Sequence, residues 1–104
     1  MTVIDRNLAY DTDLEPDEII RVGGGSDPQA VASAISNAFY ERHEVTLRAI
    51  GASAVNQANK AIAIARGYVA TRGLDLYCRQ GFTNVQGPND AKPISAIVLR
   101  LNLQ

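Results

Sequence analysis

The sequence predicts an α/β chain of the two-layer α+β kind: element order βαβαββ, one mixed four-stranded sheet, two helices on one face. Three observations point there. Runs of β-branched or alternating residues stand at 18–22, 44–50, 74–85 and 94–103. Two stretches with apolar residues at helical spacing, about 28–41 and 53–69, separate the first three of these runs. Two successive βα units with right-handed crossovers then place both helices on the same side of the sheet. The opposite face is expected to stay open unless a partner covers it.

Each element has its own local reason. Glu18-Ile19-Ile20-Arg21-Val22 is short and β-branched, and Gly23-Gly24-Gly25 ends it. Ser26 or Asp27 is placed to accept a hydrogen bond from a free helix-start N–H, and Pro28 suits the first helical position. Val31, Ile35, Ala38 and Phe39 then form one apolar stripe. Glu44-Val45-Thr46-Leu47-Arg48-Ala49-Ile50 alternates as a strand until Gly51 breaks it. In the second helix Val55, Ala58, Ile62, Ala65 and Val69 share a face. So much alanine there requires close approach by the sheet or by a second copy of the chain. Gly73 is a stop, and the polar turn Gly87-Pro88-Asn89-Asp90 joins the last two strands. Residues 1–17 have no sustained period and are expected to be a flexible or loosely docked extension, an extra strand around 2–4 being the alternative. The domain is expected at 18–104.

Composition and charge exclude several classes. With 104 residues, 46% apolar and 20% charged, the chain suits one globular domain rather than a disordered or fibrous one. No apolar run approaches the roughly 18–20 residues of a membrane helix, and the acidic start does not read as a secretory signal. A cytoplasmic protein with no membrane partner is expected. One cysteine, Cys78, and one histidine, His43, leave no internal disulfide and no expected metal site. The net charge of −1 hides a lopsided layout. Residues 1–18 hold six acids against Arg6, a sum of −5, while residues 19–104 hold nine bases and five acids, a sum of +4. A mildly basic body behind an acidic extension points weakly to a polyanionic partner.

No catalytic constellation emerges, and neither an enzyme nor a cofactor is expected. His43 falls in the polar turn Glu41-Arg42-His43-Glu44, and Cys78 falls mid-strand on the helix-covered side, as a small core residue would. Gly23-Gly24-Gly25-Ser26 resembles half of a phosphate cradle, but no Lys-Ser/Thr follows and Asp27 puts a negative charge where a phosphate would sit. The second turn, Ile50-Gly51-Ala52-Ser53-Ala54, is free of acids. It leads into a helix bearing Asn56, Gln57, Asn59 and Lys60. Gly51, Ser53, Gln57 and Lys60 are therefore candidates for phosphate contact, a plain turn chosen for tight packing being the other reading.

Strand parity yields the most informative set. If Ile20 and Val22 face the helices, then Arg21 faces away, as do Thr46 with Arg48, Tyr77 with Arg79, and Val98 with Arg100. Every strand thus offers one arginine to the uncovered face, with Tyr77 beside them. Clustered arginines and one aromatic can neutralise phosphates and stack bases. Two other readings stay open: a solvated sheet face and a polar oligomer interface.

The stretch 49–69, Ala-Ile-Gly-Ala-Ser-Ala-Val-Asn-Gln-Ala-Asn-Lys-Ala-Ile-Ala-Ile-Ala-Arg-Gly-Tyr-Val, closely resembles the long-helix motif of the stage V sporulation protein S family. Ser26-Asp27-Pro28 with Val31 to Ile35 is similar to its first helix, Leu74-Asp75-Leu76-Tyr77-Cys78 to its third strand, and Phe82-Thr83-Asn84-Val85-Gln86 to the segment after it. The resemblance spans roughly 18–101 and implies an Alba-like fold, a homodimer or higher homo-oligomer, and a regulatory role in spore development. It also implies RNA or DNA as partner, since the related Alba proteins bind both. Gln57 stands where those proteins carry a functional lysine, Ser53 replaces the second glycine of the sporulation motif, and the hairpin turn holds only Lys92. The implied binding is weak. The alternative function is a protein-interaction or scaffold module of the same fold.

Overall fold

The structure, a computed structural model, describes residues 18–87 and 92–104. The expected extension at 1–17 and Pro88, Asn89 and Asp90 of the expected turn lie outside the described residues. The elements follow the predicted order: β1 (Ile19–Val22), α1 (Pro28–Ala38), β2 (Glu44–Ala49), α2 (Ala52–Ala70), β3 (Leu76–Val85) and β4 (Ile94–Leu103). The strands lie side by side as β1-β2-β4-β3. β1 runs parallel to β2, while β4 is antiparallel to both β2 and β3, so β2 and β3 run in the same direction. Both βα crossovers step across the sheet the same way, which is why two right-handed connections leave both helices on one face.

Local chemistry explains the boundaries. Asp27 is the N-cap of α1, its Oδ1 accepting from the Gln29 N–H at 3.1 Å, and Pro28 fills the first position. Ser26 serves the glycine turn instead: its Oγ accepts from the Gly23 N–H at 2.9 Å. α1 ends three residues before the expected 41 because the chain tightens into i→i−3 bonds, Tyr40 N–H to Asn37 O and Glu41 N–H to Ala38 O, both 3.1 Å. α2 ends in a Schellman arrangement. The Leu74 N–H reaches Val69 O and the Gly73 N–H reaches Ala70 O, with Gly73 at φ +75°. The Arg72 guanidinium lies 4.2 Å from the centre of the Tyr40 ring and links the C-terminal ends of the helices. β3 begins at Leu76, two residues later than expected. Asp75 and Gln104 still exchange both backbone hydrogen bonds, at 2.9 and 2.8 Å.

One core lies between the helices and the sheet. Ile35 of α1 with Phe39 just after the helix, Val45 and Leu47 of β2, Leu99 and Leu101 of β4 and Val69 of α2 are among its large members. Each fully buried aliphatic side chain contributes roughly 1.5–3 kcal/mol. The α2 stripe differs from expectation at two of its five places. Ala54 and Ala61 make the buried contacts, while Val55 and Ile62 sit half-buried at the flanks. α2 packs on α1 and on three strands at once, and Ala54, Ala58, Ala61 and Ala65 are almost wholly closed to solvent along that line. The close neighbour demanded by the alanines is therefore the chain's own sheet and first helix.

Candidate functional site

The register converts the four outward arginines into a defined array. In one row across the sheet, Arg21 of β1 stands directly opposite Arg48 of β2, and the row continues through Val98 of β4 to Gly81 of β3. The next row is Ile19, Thr46, Arg100 and Arg79, so Arg79 and Arg100 are also direct cross-strand partners. A third row holds Glu44, Asn102 and Tyr77. The arginines therefore form two side-by-side pairs of like charge, an arrangement that costs stability unless anions offset it. Glu44 supplies one offset: its Oε1 lies 3.2 Å from Arg100 Nε, and its Oε2 accepts from Asn102 Nδ2 at 3.3 Å. The Arg100 contact is ionic rather than a well-aligned hydrogen bond. Tyr77 is exposed on the same face, beside Arg79 and Arg100.

This face is not the uniformly open surface expected. Val98 and Thr83 are 0% and 1% exposed, Ala96 and Thr46 are 2% and 3%, and Gly81 is buried with them, although all five point away from the helices. The sequence carried a signal for this. In β4 the outward positions Ile94, Ala96 and Val98 are as apolar as the inward ones, and a strand apolar on both sides is one buried on both sides. Glu44 as the partner of Arg100 carried no such signal, because it depends on which strands are neighbours.

The second set of candidates is divided by the fold. Gly51 is the N-cap of α2 at φ +92° with no side-chain cap, and Ala52 and Ser53 are exposed beside it. A shallow, mainly apolar cleft of about 490 Å³ opens there, lined by Ala49, Gly51, Ala52, Val55, Ser95, Ala96 and Ile97. Gln57 does not point into it. Its Nε2 donates to Ser26 O at 2.9 Å, and its Oε1 accepts from Asn56 Nδ2 at 3.1 Å, so its amide clasps the first βα turn. Lys60, eight residues into the helix and about 12 Å along its axis, instead lines a groove with Asp27, Pro28 and Gln29 at the start of α1. The first βα turn has its helix end occupied by the Asp27 carboxylate.

Two remaining titratable groups belong to structure. The Asp75 carboxyl is held below its ordinary range by the Arg66 guanidinium, 2.9 Å away, and by the Leu76 N–H. Burial pushes the half-buried Cys78 thiol up, away from the reactive thiolate. His43 is exposed in its turn. Among the described residues no group of three His, Cys, Asp or Glu side chains could hold a metal ion, and no helix is long and apolar enough to cross a membrane.

A two-layer βαβαββ chain of this strand order is the fold of Alba proteins. Alba from Thermoplasma volcanium superposes with a TM-score of 0.56 at 20% identity, covering 81% of this chain and 98% of that one. Residues 18–104 match the model of the family described as stage V sporulation protein S. The chain belongs to that family, and the match begins at Glu18.

Proposed function

We propose that the protein is a small nucleic-acid-binding regulator whose arginine-bearing sheet face contacts phosphates. The observation that carries this is the two pairs of like-charge neighbours, Arg21 with Arg48 and Arg79 with Arg100. Such pairs gather positive charge on one sheet face, where a phosphate backbone can meet it. Arginine forks hold phosphate oxygens in a bidentate geometry, and the exposed Tyr77 ring offers a stacking surface for an unpaired base. Single-stranded RNA or DNA suits one aromatic beside a short row of cations, and few contacts mean modest affinity. The Gly51–Ser53 turn is a secondary candidate. Gln57 and Lys60 support the reading less, since one is engaged with Ser26 and the other lies toward α1. A homo-oligomer belongs to the same proposal and is checked by light scattering.

The test is fluorescence anisotropy with labelled single-stranded RNA, single-stranded DNA and duplex DNA across a salt series. It uses the full chain and a full-length variant with Asp11, Asp13, Glu15 and Asp17 replaced by their amides. Binding is expected to weaken with salt, and Arg48→Gln or Arg79→Gln should each lower the slope of log K against log salt by about 0.7–0.9. Absence of binding at low salt by both chains overturns the proposal and leaves the protein-interaction module as the reading.

A further inference from the structure

We propose that β3 pairs edge to edge with the β3 of a second copy, antiparallel about a two-fold axis at Gly81, so that the two four-stranded sheets become one. The proposal names the contact of the homo-oligomer put forward above; it rests on that part of the reading and not on nucleic acid. The first support is the strand itself. β3 lies at the end of the sheet, and among the described residues β4 is its only neighbour. It pairs with β4 residue for residue from Leu76 to Val85, without a bulge, so alternate residues aim an N–H and a C=O away from the sheet. Proteins blunt such edges by keeping them short, or with lysine, proline or a bulge. The other edge, β1, is four residues long. β3 runs for ten, with no proline and with Arg79 as its one charge. Gln80 and Asn84 are exposed on the helix side, so the helices leave that part of the strand uncovered.

The second support is Gly67. It stands well inside α2 and is exposed, and a Cβ there would meet none of the described residues within 4 Å. Glycine at such a place weakens a helix, and no contact within the described chain requires it. With Ala70, Leu74 and Asp75 it lines an open groove of about 430 Å³ beside the start of β3. In an antiparallel pairing the far end of the second copy's β3 runs out at this groove. A bare Gly67 leaves it room.

Symmetry and register choose a second copy as the occupant. Pairing β3 with β3 closes on itself and covers the long edge of both chains at once, whereas β3 against β1 would match ten residues with four and leave an open array. A sheet that continues through the axis keeps odd residues against odd and even against even. An axis at Arg79 would set the two arginines opposite each other, and one at Gln80 would leave them diagonal neighbours. At Gly81 they separate. Tyr77 then meets Val85 of the second copy, an aromatic beside a β-branched residue, while Arg79 meets Thr83 and Cys78 meets Asn84. The two outward faces form one surface, with Tyr77 and Arg79 of both copies in its central strands.

The test starts from light scattering of the full chain at about 0.1 mM, where micromolar association is nearly complete. A dimer is expected, and a monomer overturns both this contact and the homo-oligomer reading. Gln80→Lys and Asn84→Lys in one chain change exposed side chains only. Together they should loosen the dimer at least about tenfold, since the lysines at position 80 become diagonal neighbours across the axis. Asn84→Cys reads the register. Its thiol faces Cys78 of the second copy at a separation a disulfide spans. Mild oxidation with diamide should therefore give a covalent dimer on a non-reducing gel, and none in the Cys78→Ser background. A dimer that tolerates both lysines, or that forms no such link, overturns the edge pairing while leaving a homo-oligomer built on another contact. If the variants fail to fold, hydrogen exchange of the unmodified chain decides. Alternate amides of β3 should be protected at about 0.1 mM and exposed after roughly a hundredfold dilution; protection that ignores dilution overturns the proposal.

Discussion

Gly24 and Ser53 show how one side chain couples two loops. A Cβ at Gly24 would come 2.5 Å from Ser53 Oγ and 3.3 Å from Ser53 Cβ, so the first βα turn packs directly on the start of α2. Gln57 clasps the same turn through Ser26 O. Gly24→Ala should therefore destabilise by about 1 kcal/mol, and by at least about 0.5 kcal/mol less in a Ser53→Ala background, as contacting residues are non-additive. A urea-denaturation double-mutant cycle measures this; additive losses would mean that the loops do not touch. At this scale the sequence was legible where chemistry is local. Asp27 and Pro28 opening α1 and Gly73 closing α2 follow from one turn of chain. The engagement of Gln57 was not legible, because its partner lies 31 residues away.

The helices and strands were legible wherever periodicity extends over several turns, and where their ends shifted they moved by one to three residues. α2 is the instructive case. Its hydrophobic spacing selects Val55 and Ile62, yet the packed line is Ala54, Ala58, Ala61 and Ala65, because contact with α1 and three strands is too close for larger groups. Hydrophobicity ranks the residues, but distance decides between them. Ala61→Leu should therefore cost about 1–3 kcal/mol through overpacking. Ala63→Leu, on the exposed side of the same helix, should stay within about 0.5 kcal/mol of wild type. Thermal unfolding of the two variants checks the contrast, and equal effects would place the contact line elsewhere.

For the whole molecule, the helix–sheet core among the described residues runs from Val22 to Leu101, inside the region matched by the family model. A chain beginning at Glu18 should keep one cooperative unfolding transition, with a melting temperature lowered by no more than roughly 10 °C. Loss of cooperativity on truncation would show that the extension belongs to the core. By itself, the sequence determined the element order, both helices on one side, and the parity that sends one arginine per strand to the other face, since each follows from short-range spacing and the handedness of crossovers. Only the tertiary structure decided that β4 lies between β2 and β3, and with it which arginines are neighbours, that Glu44 meets Arg100, and that Val98 is closed off. The reason is physical. Periodicity is a property of neighbouring residues, whereas strand pairing is a long-range competition settled by how the whole core packs.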